Sequence, residues 1–403
     1  MTIDDYQVLQ RGPDGSAHVA LDTGEKITLP TGGPYEVGGA KDVLVGDLWV
    51  LAGQSNMEGC GDLADLETPT EHVRSYQSRE KWAVADEPLH WLGESPRLVH
   101  HALAGRETVP DELDPRDLGR TKGAGLGLTF AKECLARTHV PVGLIPAAHG
   151  GTSMAQWDPQ LKSAGGASLY GATLERVRAN GGKVTGILWY QGESDCYTEA
   201  LAVYAQRMTA LVQSFRDDLG QPDLPFYFVQ IGGVVGDPDP AAIDGWNGIR
   251  EAQRAWATTL PHVSMVSAID LGLDDSIHIG TADLKRLGRR LADAAGGIPA
   301  PALRGASVEN NGLRVRASFD HVRGELASLG RPAGFSLRTD AGQELVRIYK
   351  TTLEGDSAVL HLTETLPQSV NLWYGWGLYP YCNITDREDA AVPGFGPFPL
   401  SQG

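Results

Sequence analysis

Cysteine is scarce in this 403-residue chain, with only Cys60, Cys134, Cys196 and Cys382, widely spaced and without a Cys-x-x-Cys pair. The spacing excludes the usual zinc and iron–sulfur ligand patterns, and most of the four read as small core residues. Cys60 follows Ser55 by five residues and Cys196 follows Gln191 by five, so the two thiols can be neighbours, although spacing alone shows no bridge. Positive charge is also in deficit, with 34 Lys and Arg against 51 Asp and Glu and a formal charge of −17. Nucleic acid is therefore excluded as a partner, because phosphate binding needs clustered cations. Long apolar runs are absent: none approaches the roughly 18 residues of a membrane span. A hydrophobic fraction of 41% and 21% charged residues are those of a soluble globular protein. The start, Met1-Thr-Ile-Asp-Asp-Tyr6, has no basic segment followed by an apolar core, as a secretory signal requires. A cytoplasmic location is the expectation, or a secreted one had a leader been removed.

What is present divides into three parts. Residues 1–45 hold short alternating stretches, Ala17 to Leu21 and Lys26 to Leu29, between Gly, Pro and Asp turns, and read as a β-rich lead-in. Over 46–300, apolar runs alternate with helical patterns: Leu48 to Ala52, Val140 to Ala147, Val184 to Tyr190, Pro225 to Ile231 and Val263 to Ile269. Five strands separated by helices imply a parallel, three-layer α/β/α sheet. Helices are expected over Leu126–Arg137, Leu169–Asn180, Ala200–Leu219 and Thr281–Ala295. The polar insertion 58–123 is too long for a simple connection and is expected to fold over the site as a lid or rim. From 303 to 403 the period becomes alternating, at Leu313 to Ala317, Leu345 to Tyr349, Ala358 to Leu362 and Val370 to Tyr374, which predicts a C-terminal β domain. This part contains Asn383-Ile-Thr385, a glycosylation sequon in form.

Four stretches offer chemistry, and all fall at the carboxyl ends of predicted strands, where one crevice of an open α/β sheet collects them. The first is Gly53-Gln-Ser-Asn-Met57, with Gln54, Ser55 and Asn56 just past the apolar run Leu48 to Ala52. Its plain reading is a turn; its chemical reading is a serine hydroxyl beside a free backbone N–H. The second is His149-Gly-Gly-Thr152, where Gly150 and Gly151 let the backbone approach a ligand and present an N–H to an oxyanion. Trp157, a little further on, is either an aromatic wall for substrate or core. The third is Trp189-Tyr-Gln-Gly-Glu-Ser194. A Gln191 amide on a rigid strand end can donate to an oxyanion, and Glu193 reads more simply as a hydrogen-bonding tie between loops. The fourth is Asp275-Ser-Ile-His278, three apart, so that one loop can set the carboxylate on Nδ1–H and leave Nε2 to take a proton from Ser55. No further His or carboxylate cluster accompanies this pair, so no metal and no cofactor are expected. His100, His101 and His149 read as surface or loop residues.

These blocks, together with Val45-Gly-Asp-Leu-Trp-Val-Leu-Ala-Gly-Gln-Ser-Asn-Met57, resemble the SGNH-hydrolase superfamily, and within it the sialate O-acetylesterase and acetylxylan esterase branch of carbohydrate esterases. The resemblance covers about residues 47–296. It implies a flavodoxin-like sheet and a metal-free esterase that removes acetyl groups from sugar hydroxyls. By position it implies Ser55 as nucleophile, His278 as base and Asp275 as its orienting acid, with an oxyanion hole from Ser55 N–H, Gly151 N–H and the Gln191 side chain. The wider superfamily usually carries Asn where this chain has Gln191, whereas the branch resembled has Gln. The missing signal favours imported or intracellular acetylated saccharides as substrate.

The sequence thus predicts a serine esterase acting on small or oligomeric O-acetylated carbohydrate, with no nucleic-acid or membrane partner and an oligomeric state that cannot be read. Two alternatives stay open: an SGNH esterase or lipase of other acyl or aryl specificity, and a non-catalytic carbohydrate-binding protein.

Overall fold

The computed structural model describes residues 2–112 and 119–400, so the expected rim 58–123 is described except for 113–118, and the expected C-terminal domain 303–403 as far as 400. Its centre is a nine-stranded sheet. In chain order the strands are β1 (Val8–Gln10), β2 (Gly32–Val37), β3 (Ala40–Gly53), β4 (Val73–Tyr76), β5 (Trp82–Val84), β6 (Val142–Pro146), β7 (Gly186–Tyr190), β8 (Phe226–Gln230) and β9 (Val263–Ser267). Across the sheet they run β9-β8-β7-β3-β6-β4-β5, with β1 and β2 also paired to β3. The five strands expected from the apolar runs are the five parallel neighbours β9, β8, β7, β3 and β6. Leu48 to Ala52 are at most 5% exposed, because helices and flanking segments cover both faces; this is why the run reads as continuously apolar. Each fully buried large side chain there contributes about 1.5–3 kcal/mol relative to exposure.

Two expectations need correcting. The insertion 58–123 is more than a rim: it supplies β4, parallel to β6, and β5, antiparallel to β4, at the sheet edge. Both are very short, and the four buried residues of β4 show no alternation. The lead-in is likewise tied to the central sheet through β1 and β2, with Leu9, Val19, Val37 and Val43 forming a small core of their own.

The helices used below are α1 (Ser55–Glu58), α2 (Leu98–Leu103), α3 (Gly127–Thr138), α4 (Leu169–Ala179), α5 (Tyr204–Asp218), α6 (Pro240–Trp256) and α7 (Thr281–Ala295). The helix expected over Ala200–Leu219 is broken into a turn, Thr198–Leu201, and α5. Helix α3 packs on α7 closely enough that a Cβ on Gly288 would lie 2.6 Å from Leu126 O. Among the described residues, no helix is long and apolar enough to cross a membrane.

Beyond α7 lies the β-rich C-terminal region. Ala302–Glu309, Arg314–Asp320, Ser357–Leu362 and Ile348–Glu354 form an antiparallel sheet in that order, and Phe335–Arg338, Asn371–Tyr374 and Phe395–Pro399 form another. Burial alternates residue by residue along Arg314–Asp320, the pattern of a strand with one covered face. The strand expected from Leu345 starts only at Ile348, since Val346 is 89% exposed in the turn before it. A separate apolar core holds this region, with Val315, Phe319, Leu360, Leu372 and Phe395 in it.

A candidate active site at the strand crossover

Chain order reverses across the sheet between β3 and β7, the two strands that flank the crevice of a flavodoxin-like fold. Ser55 sits at the carboxyl end of β3 and Gln191 at that of β7. Gly53 makes the turn possible: its φ is +129°, and a Cβ there would lie 2.1 Å from Tyr190 O. The neighbouring Gln54 N–H donates to that carbonyl at 2.8 Å, and the Gln54 side-chain oxygen accepts from Ser194 N at 3.2 Å. Gln54 thereby locks the two strand ends together. Ser55 follows at the first position of α1, only 9% exposed. A first-turn N–H has no partner within its helix, which leaves the Ser55 amide available to a ligand.

The next residue, Asn56, connects Ser55 to the histidine loop. Its side-chain oxygen accepts from Ile279 N at 3.0 Å, and its nitrogen donates to Glu193 Oε1 at 2.9 Å and reaches Ile277 O at 3.5 Å. The residue after His278 is therefore held by the neighbour of Ser55. Within that loop Asp275 Oδ1 accepts from the backbone N–H of Ile277 (2.9 Å) and His278 (2.8 Å), while Oδ2 lies 2.8 Å from His278 Nδ1. Burial works to raise the Asp275 pKa, but the Ile277 N–H, the His278 ring and the His278 N–H outweigh it and hold the carboxyl well below the usual range. The ring's Nδ1 is thus engaged by a carboxylate. Lys122, from the insertion, reaches Asp275 Oδ2 at 3.4 Å.

The glycine loop is positioned from two directions. Glu58, one turn beyond Ser55 on α1, accepts the Gly150 N–H at 2.7 Å, and His149 N–H donates to Gly53 O at 3.1 Å. A Cβ on Gly150 would lie 3.4 Å from Ser55 Cβ, so this loop lies directly against the serine. Gly150 therefore spends its N–H on Glu58. Gly151, at φ +69° and exposed, keeps its N–H out of the hydrogen bonds of the described residues. Burial raises the Glu58 pKa against the opposing Gly150 bond and Arg120 charge, and burial likewise raises that of Glu193 against the Asn56 bond.

Packing fixes the contacts of two further residues. Gln191 is fully buried, and its amide nitrogen donates to Thr152 O at 3.2 Å and Asp195 Oδ2 at 2.5 Å. Both amide hydrogens are used inside the protein, so the expected contact with a substrate oxyanion requires one of these bonds to be given up. Trp157, expected as either a substrate wall or core, takes the second reading: it is 0% exposed, stacks edge-on against Trp189 at 5.1 Å and donates to Thr152 Oγ1 at 3.0 Å. It is core beneath the glycine loop and meets no substrate. The four cysteines are free thiols, Cys60 and Cys196 included. Among the described residues, no group of three or more His, Cys, Asp or Glu is arranged to hold a metal ion.

Sequence reading passed over several residues that shape this site. Glu58 lies three residues after Ser55, a spacing that puts both on one side of a helical turn. Asp195 accepts the Met154 N–H at 2.8 Å as well as the Gln191 amide, joining the second and third blocks. His100 and His101, expected at the surface or in loops, are instead buried on α2, and His100 Nδ1 lies 2.9 Å from His149 Nδ1, so the insertion grips the glycine loop.

A family model for carbohydrate esterases, described as sialic acid-specific acetylesterases, matches residues 45–296, well over half of the chain. The chain is 30% identical over 270 residues to a probable carbohydrate esterase of Arabidopsis thaliana, covering 61% of this chain and 89% of that protein. A crystal structure of a carbohydrate acetylesterase from Xanthomonas citri matches at a TM-score of 0.70, over 97% of each chain and at 24% identity, a likeness of fold that extends through the C-terminal β region. The chain belongs to the carbohydrate esterase family of sialic acid-specific acetylesterases, and is a carboxylic ester hydrolase that removes O-acetyl groups from carbohydrates.

Proposed function

We propose that the reaction runs through an acetyl-enzyme on Ser55. The observation that supports this is the Asn56 bridge, which bonds the residue after Ser55 to Ile279, the residue after His278, at 3.0 Å. With Nδ1 engaged by Asp275, His278 Nε2 takes the Ser55 hydroxyl proton as Oγ bonds to the acetyl carbon. The ester C–O bond then breaks, and the same proton passes to the departing sugar oxygen. Water repeats the sequence in reverse, giving acetate and free Ser55. The negative charge on the carbonyl oxygen is met by the N–H groups of Ser55 and Gly151, which are preorganised by α1 and by the Glu58 bond to Gly150.

Gln191 serves this site by holding Thr152 and Asp195, and through them the loop that carries Gly151. Substrates are acetyl esters of small or oligomeric saccharides, either neutral or sialic acid-based. The mechanism is tested by treating the protein with a serine-directed organophosphonate and locating the adduct by mass spectrometry. A single adduct on Ser55, lost on His278→Ala, is expected. Absence of labelling, or labelling elsewhere with Ser55 untouched, would defeat the acetyl-enzyme.

A further inference from the structure

The C-terminal β region is linked to the catalytic loop through the loop between β8 and α6. Val235 N–H donates to Ser276 O at 2.7 Å, two residues before His278, and Val234 N–H donates to Leu378 O at 3.0 Å. The loop between β8 and α6 is thus held between the histidine loop and the segment Gly375–Tyr381. That segment is pinned by Arg250, which is 2% exposed and has backbone carbonyls for partners. Its guanidinium donates to Gly232 O (2.7 and 3.0 Å), Gly375 O (3.2 Å), Gly377 O (2.6 Å) and Leu378 O (3.0 Å). Asn247 Oδ1 accepts the Gly377 N–H at 2.9 Å from the same helix. Taking a guanidinium out of water is costly, and five carbonyl bonds offset that only where the loop is fixed in one geometry.

The loop held in this way leaves its aromatic residues uncovered. Tyr379 and Tyr381, on either side of Pro380, are 49% and 72% exposed. Tyr379 lies over Gly233, where a Cβ would come within 2.6 Å of its ring, so a glycine makes the seat for one edge while about half of the residue stays exposed. The position is at the carboxyl edge of the sheet, on the same side as Ser55. Two backbone hydrogen bonds, Val234 N–H to Leu378 O beside Tyr379 and Val235 N–H to Ser276 O, connect it to the loop that carries His278. A preorganised aromatic face offers apolar area to the C–H face of a pyranose while its hydroxyl stays in water.

We propose that the C-terminal β region completes the site with a distal sugar subsite, in which Tyr379, seconded by Tyr381, stacks on a pyranose ring of an oligosaccharide substrate. This rests on Ser55-dependent deacetylation of carbohydrate. The test compares wild type, Tyr379→Ala and Tyr379→Phe on p-nitrophenyl acetate, an O-acetylated monosaccharide, acetylated xylo-oligosaccharides and O-acetylated sialyl-lactose. Tyr379→Ala should lose about three- to tenfold in kcat/KM on whichever oligomeric substrate the wild type cleaves, through KM, and Tyr379→Phe should keep most of it. Rates on p-nitrophenyl acetate and the monosaccharide should be unchanged. An unchanged oligosaccharide KM in Tyr379→Ala, or an equal loss on every ester, would overturn the subsite while leaving the deacetylase reading intact. Wild type that cleaves p-nitrophenyl acetate and no sugar ester would instead overturn both.

Discussion

Replacing Asn56 by Ala tests whether the serine turn and the histidine loop act as one unit. The substitution removes the acceptor of the Ile279 N–H (3.0 Å) and the donor to Glu193 Oε1 (2.9 Å). The 3.5 Å contact with Ile277 O is at the limit of a hydrogen bond and is counted as nothing. Ile279 is 1% exposed, so its N–H finds no water in exchange, and the Glu193 carboxyl is already held in an environment that raises its pKa. One orphaned buried N–H, beside a Glu193 carboxyl that keeps Tyr190 as a partner, predicts a loss of about 1–3 kcal/mol in stability. The catalytic effect is separate: His278 lies between the two residues that Asn56 touches, and a displacement of about 1 Å can cost up to about 10²-fold in rate. The assays are urea unfolding followed by circular dichroism, and kcat on p-nitrophenyl acetate well below the unfolding midpoint. An Asn56→Ala protein with the wild-type urea midpoint and a kcat within twofold of wild type would show that the bridge positions nothing.

Two further outcomes follow from the site and its surroundings. Gln191→Ala leaves Thr152 O without its amide donor and Asp195 Oδ2 with the Met154 N–H alone, so stability should fall by about 1–3 kcal/mol together with kcat; a loss of about 10²–10³ in kcat at an unchanged urea midpoint would instead make the amide a direct oxyanion donor. Stability should peak near pH 6 in a urea series. Burial drives His90 down to about 3 and His149 to about 4, so their contribution is full above the unfolded histidine value of about 6.5 and is lost as pH falls toward those values. Burial drives Glu87 up to about 7, so its contribution is full below about 4.5 and is lost as pH rises through 7. Since the Glu87 side chain is only partly shielded, its alkaline loss amounts to about 1–3 kcal/mol, and Glu87→Gln should flatten that limb between pH 5 and 8. An alkaline slope that persists unchanged in the variant would remove Glu87 from the account.

The parts of this structure visible in the sequence are those with a single periodicity. Leu48 to Ala52 is apolar on both faces and stops at a glycine, and the five parallel strands share that pattern; α7 runs over the expected Thr281–Ala295 because Leu284, Leu287 and Leu291 form one stripe. Helix α6 escaped notice for a related reason. Its buried face carries Asn247, Arg250 and Gln253 between Trp246, Ile249 and Trp256, and these polar residues dilute an apolar stripe that does recur at helical spacing. Strands β4 and β5 were too short to alternate visibly. At the site, local spacing located Asp275 and His278 within one loop. The direction in which Gln191 points depends on Asp195 and Thr152, and the coverage of Trp157 depends on Trp189; both are set by packing between blocks far apart in sequence. A family resemblance names such residues and leaves their hydrogen-bond partners undetermined.

The most direct test of the central claim is acetate release by wild type and Ser55→Ala from acetylated xylo-oligosaccharide, O-acetylated sialic acid and peracetylated monosaccharides, with a p-nitrophenyl acyl series alongside. The account predicts release from at least one sugar ester that falls to background in Ser55→Ala while the variant unfolds at the wild-type urea midpoint. Equal release by the two proteins, or turnover confined to long-chain and aryl esters, would contradict it.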